Sequence, residues 1–293
     1  MTADILAVVV RWRGGDEVRD CLTSLERYGG PRLAGVVLVD SGSGDGGAER
    51  LAVQFPAMDV LVLAENLGFA HAANSGAAKG DESLLLILNP DTEVLPGSLD
   101  ELARGLDDHP EVSGTAPLLE GPDGTSQHRW QLRRLPTVLR LATGRSGAPA
   151  FASPPTDPQP VAQPAAAAWL VRRSVWDALG GFDEIFAPAW WEDVDFCTRL
   201  AALLGTESFP AADGFVVQPS ARILHHGGSS LASLGDEAFF TAYYRNLLRY
   251  ASRHHAEHLT LIRAFLNLRS TLSPTRRRAY RAALASLDQT FKV

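Results

Sequence analysis

Two short runs of the chain are apolar without alternation, Ile5–Val10 (ILAVVV) and Leu84–Leu88 (LLLIL). Unbroken apolar runs of that length are the mark of strands buried on both faces, as in the middle of a parallel sheet. Between and after them the period changes. Asp16–Tyr28 places Val18, Cys21, Leu22 and Leu25 on one helical face, and Gly29-Gly30-Pro31 breaks the pattern. Gly35–Val39 predicts a second strand ending at Asp40, Ala48–Phe55 a short helix and Asp59–Leu63 a third strand. A loop and helix reach Lys79, Leu84–Leu88 is the fourth strand, and Gly97–Asp107 is a helix. Strand and helix alternating at this pace predict a mostly parallel sheet with helices on both faces.

The alternation then lapses. Ser113–Leu119, the turn Gly121-Pro122-Asp123-Gly124 and Ser126–Leu132 predict a hairpin, and Pro136–Pro164, rich in Pro, Ala, Gly and Ser, predicts a mobile loop beside the site. Ala165–Arg172 follows as a strand and Ser174–Leu179 as a helix capped by Ser174 and stopped by Gly180-Gly181. Glu192–Leu204 is a helix, and Phe215–Val217 and Arg222–Leu224 are short strands. From Asp236 the chain is helical, interrupted at Ser273-Pro274. Phe240, Tyr243, Tyr244, Leu247, Leu248 and Ala251 make one apolar face, to be covered by the preceding domain or by a second subunit in a homodimer. The expected division is residues 1–235 as a catalytic domain and 236–293 as a helical extension. Within the former, about 1–120 is a nucleotide-binding half and 121–235 an acceptor half.

Composition narrows the class. The 293 residues are 45% hydrophobic and 21% charged, ordinary for a globular chain. Two cysteines, Cys21 and Cys197, leave no disulfide framework and no CxxC site, which fits a cytoplasmic protein. No apolar run approaches the roughly 18 residues that span a bilayer. Charge is uneven. Residues 245–293 carry ten Lys and Arg against two acids, and the first 244 carry 17 against 32. An acidic body argues against a nucleic-acid partner. The basic tail, with Arg263, Arg269 and Arg276–Arg278, suits peripheral contact with an anionic membrane surface.

Candidate chemistry collects after the strands. Asn89-Pro90 stops the fourth strand, and Asp91 and Glu93 follow on one side of an extended segment. Carboxylates at the carboxyl end of a central strand are where open α/β sheets hold ligands, and hard oxygen donors suit Mg2+ or Mn2+ on a diphosphate. A solvated acidic turn accounts for the same residues equally well. Asp40, ending the second strand, can cap its turn or accept from a ribose or base. Glu192-Asp193 opens a helix, where acids offset the helix dipole and can also be held rigidly as a base.

The ordered segments Val39–Gly46 (VDSGSGDG), Glu65–Gly76 (ENLGFAHAANSG), Asn89–Val94 (NPDTEV), Glu192–Leu200 (EDVDFCTRL) and His225–Ser230 (HHGGSS) resemble inverting family 2 glycosyltransferases of the GT-A fold. They are most similar to bacterial rhamnosyltransferases of cell-wall and polysaccharide assembly. The resemblance covers roughly residues 5–250. It implies a nucleotide-diphosphate sugar donor, dTDP-rhamnose first and a UDP-sugar second, a divalent cation, and a glycan or polyprenyl-linked glycan acceptor. It makes Asp193 the general base, with Glu192 positioning it or the acceptor, and Asp40 a nucleoside ligand. Gly42, Asn66, Gly68, Asn74 and Asn89 would line the donor, with the free amides after Gly68 facing it. Asp91 matches the last acid of the family's DXD motif, whose first acid is Asn89 here, and His225 joins Asp91 on the metal. Trp190, Trp191 and His226 are candidates for acceptor or phosphate contact.

One segment departs from the family. After the first strand it usually reads Asn-Tyr-Asn, and here it reads Arg11-Trp12-Arg13, whose two arginines are placed to pair with a diphosphate. Two other readings stay open at this point. A sugar-nucleotide nucleotidyltransferase would need a glycine-rich basic fingerprint after the first strand, which is absent. A non-catalytic sugar-nucleotide-binding protein would be compatible with Asn89 and the RWR loop.

Overall fold

The structure, a computed structural model, describes residues 4–204, 213–227 and 235–290. In chain order the elements begin β1 (Ile5–Arg11), α1 (Asp16–Tyr28), β2 (Leu33–Asp40), α2 (Gly47–Gln54), β3 (Asp59–Val62), α3 (Phe69–Ala77) and β4 (Leu84–Leu88). Then come β5 (Thr92–Val94), α4 (Ser98–Asp108), β6 (Val112–Glu120), α5 (His128–Gln131), β7 (Leu132–Arg133), α6 (Val138–Ala142), β8 (Gln159–Val161), β9 (Gln163–Pro164) and β10 (Ala168–Arg172). The last are α7 (Arg173–Leu179), α8 (Glu192–Leu203), β11 (Asp213–His225), α9 (Asp236–His254), α10 (Leu259–Ser270) and α11 (Pro274–Thr290).

The main sheet runs β3-β2-β1-β4-β10-β6-β11-β5, with β8 also on β11. β1 to β4 are mutually parallel, β10 is antiparallel to both its neighbours, and β11 is parallel to β6. The unbroken apolar runs have the cause expected of them. In β1, Ile5, Ala7 and Val9 face one core with α1 and α4, while Leu6, Val8 and Val10 face a second with α3, α7 and α8. Both faces are buried, so neither set can be polar.

Four expectations need correction. The Gly121–Gly124 turn forms, and Glu120 bridges Ser126, but no second hairpin strand follows. The chain turns into α5, and the Gln131 side chain takes over as partner: it accepts from the Leu119 amide at 3.0 Å and donates to the Pro117 carbonyl at 2.6 Å. The span 136–164 is structured. It contains α6, capped by Thr137, then a turn whose Ser146 and Gly147 carbonyls accept from Arg140, then β8 and β9. The two strands expected at 215–217 and 222–224 are one, β11, with an irregularity between Gln218 and Arg222. There Ser98 substitutes for the ladder, donating to the Arg222 carbonyl and accepting from its amide. Finally, α7 starts at Arg173 directly from β10, so Ser174 is not its cap.

The C-terminal helices join a third core. Tyr244, Leu247, Leu248 and Ala251 of α9 pack with Phe186, Trp191 and Val194, and with Leu141 and Ala142 of α6. The apolar face of α9 is therefore covered within the same chain, by these preceding residues and by Ile262 and Leu266 of α10 and Ala279, Tyr280 and Ala283 of α11. No described helix is long and apolar enough to cross a membrane.

Candidate active site

Because β1, β2, β4 and β11 run in one direction, their carboxyl ends share one edge of the sheet. Arg11, Asp40, Asn89 and His225 stand at those ends. The segment entering β10 passes the same edge, where the Asn89 amide donates to the Ala167 carbonyl at 2.9 Å.

Asp91 and His225 meet there. β5 and β11 pair antiparallel with His225 opposite Thr92, and the His226 amide donates to the Asp91 carbonyl at 2.9 Å. His225 Nε2 lies 3.6 Å from Asp91 Oδ1, and both side chains are buried. Gln127 sets the tautomer. Its Nε2 donates to the His225 carbonyl at 2.8 Å, so its Oε1 faces the ring and accepts from Nδ1–H at 2.8 Å. Nε2 is left with its lone pair toward Asp91. Trp130 stacks on the ring at 5.2 Å between centroids. Burial holds the imidazole below its ordinary 6.5, helped by His226 and opposed by Asp91. A neutral imidazole with its outer nitrogen tied down is the usual form of a metal ligand. The two donors are of the kind a divalent cation takes, and Asp91 and His225 are the residues that would hold one. Among the described residues no third His, Cys, Asp or Glu stands with them to complete a metal-holding group. His226 points elsewhere, pairing with Glu93 at 2.6 Å.

On the nucleotide side the structure reassigns several residues. Arg11 is fully buried and its guanidinium pairs with Asp40 and with Asp45 at 2.9 Å, so it is not free for a diphosphate. Adjacent strands force the pairing, since Arg11 and Asp40 are register partners. Asp40 also accepts from the Ser43 amide at 2.7 Å, capping its turn. Arg13 is exposed, lies in the left-handed region at φ 58° beside Trp12, and remains available. Gly42 serves packing, because a Cβ there would strike the Glu65–Asn66 backbone. Asn66 Oδ1 accepts from the Gly68 amide at 2.9 Å and from Ser41 Oγ at 3.1 Å. Of the amides that open α3, that of Phe69 is taken, donating to Pro188 O at 2.7 Å. Asn74 is a clamp between elements. It donates to Phe182 O at 2.8 Å and Glu184 Oε1 at 3.0 Å, and accepts from the Phe182 amide at 3.0 Å.

Asp193 is held from two strands at once. Arg133 of β7 and Gln163 of β9 are register partners, and both donate to Asp193 Oδ2, at 3.1 and 3.0 Å. Oδ1 accepts from the Val194 amide at 2.8 Å. Arg133 is in turn tied to Ser146 at 3.0 Å. Glu192 is buried, with Oε2 lacking a hydrogen-bond partner, and burial, reinforced by the Asp193 charge, raises its carboxyl well above 4.5. Burial thus biases Glu192 toward its protonated form. The next acid, Asp195, is fully buried and bound by Arg199 at 2.6 Å and His254 of α9 at 2.7 Å.

The tryptophan pair belongs to packing. Trp191 is buried against Tyr243 and Tyr250, and Trp190 meets Phe239 edge-on at 4.7 Å. The Trp191 ring is therefore closed to a sugar, while Trp190 is half-buried. Both residues lie in the left-handed region, φ 71° and 82°, which bulky side chains adopt only under constraint. Asn246 supplies the constraint: fully buried in α9, its Nδ2 reaches the carbonyls of Phe186, Ala189 and Trp190 at 2.7–3.1 Å.

The sequence reading missed Arg133, Gln163, Gln127, Asp45 and Asn246. Arg133 follows the expected hairpin strand and Gln163 lies in the 136–164 span, and only their pairing across β7 and β9 brings them to Asp193. Gly228 and Ser230 of the HHGGSS motif lie outside the described residues.

Comparison with known proteins agrees with this architecture. The model of the family named Glycosyl transferase family 2 matches residues 7–179. An N-acetylglucosaminyl-diphospho-decaprenol L-rhamnosyltransferase of Mycobacterium tuberculosis is 30% identical over 250 residues, 78% of each chain. Among solved structures, a mannosyltransferase from Pyrobaculum calidifontis in complex with GDP-Man and Mn2+ is 18% identical. It covers 99% of this chain and 76% of its own, with a TM-score of 0.58. GalNAc-T7 with UDP, GalNAc and Mn2+ gives a TM-score of 0.61 at 16% identity, over 91% of this chain and 55% of its own. With its mixed, mostly parallel sheet of GT-A type and its C-terminal helices, this chain belongs to glycosyl transferase family 2 and is a glycosyltransferase.

Proposed function

We propose that the chain transfers L-rhamnose, with inversion, from dTDP-rhamnose to a hydroxyl of a sugar carried on a polyprenyl diphosphate. The observation that carries the chemistry is the Asp193 carboxylate, with one oxygen fixed by Arg133 and Gln163 at the start of α8. An inverting transfer needs one positioned base and no nucleophile. The donor and acceptor classes are supported by the 30% identical mycobacterial relative.

The chain's residues divide the work. Asp193 accepts the acceptor hydroxyl's proton as that oxygen attacks the anomeric carbon and the bond to the nucleoside diphosphate breaks. Arg133 and Gln163 keep the accepting carboxylate in one orientation. Glu192, buried and with its carboxyl raised toward the protonated form, limits a second negative charge next to it. Asp40 borders the nucleoside, with Arg11 fixing its carboxylate. Asp91 and His225 would hold the divalent cation, Mg2+ or Mn2+, which when bound offsets the charge of the departing diphosphate. Manganese accompanies the nucleotide sugar in the Pyrobaculum structure.

The test is release of nucleoside diphosphate from dTDP-rhamnose, UDP- and GDP-sugars, with Mn2+ and a polyprenyl-diphospho-N-acetylglucosamine acceptor. Acceptor-dependent release from dTDP-rhamnose above the others supports the reading. Preference for another sugar nucleotide overturns the donor assignment and leaves the family intact.

A further inference from the structure

Among the described residues, ten large apolar side chains are strongly exposed, and four of them belong to α10 and its C-terminal end. Leu261, Phe265, Leu268 and Leu272 are 49, 50, 66 and 84% exposed. Their spacing of four, three and four residues puts them on one helical face. That face points away from the one the protein uses, because Ile262, Leu266 and Ser270 are the buried residues of α10. A fifth exposed residue, Leu139 at 74%, sits on α6, which packs on α10. Single exposed leucines need no explanation, but a contiguous stripe does.

The charge of the same region selects the partner. Together α10 and α11 carry six arginines, Arg263, Arg269, Arg276, Arg277, Arg278 and Arg281, against one acid, Asp288. Among the described residues, Arg278 pairs with Glu237 and Arg276 lies over the Phe240 ring. Exposed leucine and phenylalanine beside surplus arginine is the composition of a helix lying in a membrane interface, apolar face in the acyl boundary and cations among anionic headgroups. A second copy of this chain would bring the same positive charge to the contact and is disfavoured by repulsion.

We infer that α10 is a peripheral membrane contact that seats Leu261, Phe265, Leu268 and Leu272 in an anionic bilayer. The inference is independent of the sugar and acceptor proposed above.

Flotation of the full chain on vesicles tests it, comparing phosphatidylcholine alone with a mixture containing phosphatidylglycerol. The wild type should float with the anionic vesicles at low salt and largely remain at the bottom with the neutral ones. The variant Phe265→Glu/Leu268→Glu/Leu272→Glu should lose flotation at least tenfold while keeping the wild-type melting temperature, since all three positions are exposed. The pair Arg269→Glu/Arg277→Glu should lose it with the apolar stripe intact. Wild-type protein that stays at the bottom with anionic vesicles overturns the inference, as does equal flotation of the triple variant. Sedimentation of the wild type as a dimer that the triple variant dissociates, with neither floating, would assign the stripe to a second copy instead.

Discussion

Gln127 grips His225 at two points, donating to its carbonyl and accepting from its Nδ1, each at 2.8 Å. One amide thus fixes the ring, its tautomer and the direction of the nitrogen that faces Asp91. Outer partners of this kind typically change metal affinity by about 10- to 100-fold when removed. Gln127→Ala should weaken Mn2+ binding in the presence of a nucleoside diphosphate by that range, read by titration calorimetry. His225→Ala should weaken it further, and unchanged affinity in both would remove His225 from the metal site.

Arg11 and Asp40 form a buried pair at the ends of adjacent strands, and Asp45 closes the other side of the guanidinium. Removing one member of a buried pair leaves the other charge uncompensated, at about 3–5 kcal/mol. Arg11→Ala should therefore lower unfolding stability by that order in urea and abolish nucleotide binding. Asp45→Ala should be milder, because Asp45 is partly exposed. A stable Arg11→Ala protein with intact nucleotide binding would show that the arginine does not position Asp40.

Glu192 gives a pH signature. Its carboxyl is raised well above 4.5 by burial and then by Asp193, so the folded chain keeps a proton that the unfolded chain releases. The group's contribution to stability is complete below pH 4.5 and declines as pH rises toward the folded value. Glu192→Gln removes the titration. Its melting temperature should exceed that of the wild type at pH 8, by about 2 °C or more for each kcal/mol recovered. The gap should shrink toward pH 4.5, and a constant difference across that range would contradict a protonated Glu192.

Asn246 couples the C-terminal helices to the start of α8. Loss of its bonds frees carbonyls of the 186–190 segment and loosens two left-handed residues just ahead of Glu192. Asn246→Ala should cost about 1–3 kcal/mol in stability and lower kcat with little change in donor KM. A variant reduced in stability alone, with kcat unchanged, would limit Asn246 to packing.

Most of the framework could be read from local pattern. β1, β4 and α1 announce themselves because burial on two faces or one leaves a two-state or helical hydrophobic code. Motif order was equally legible, and Asp91, His225, Asp40 and Asp193 all stand at element ends, as their positions in the sequence imply. What could not be read was where polar side chains go once strands meet. Arg11 looks like a cation for phosphate until β2 places Asp40 opposite it. Asn74 looks like a ligand contact until Phe182 supplies its partners. Arg133 and Gln163 are thirty residues apart and carry no local signal for Asp193. Trp191 suggests a sugar platform only until Tyr243 and Tyr250 of α9 cover it.

Whether Asp193 is the base is decided by Asp193→Asn, with turnover and donor affinity measured on the same preparation. As the base, Asp193 should leave kcat lower by about 10²- to 10⁴-fold when replaced, while nucleotide-sugar and Mn2+ affinity stay within a few-fold of wild type. Turnover close to wild type, with binding intact, would contradict this role and move the proton acceptor elsewhere.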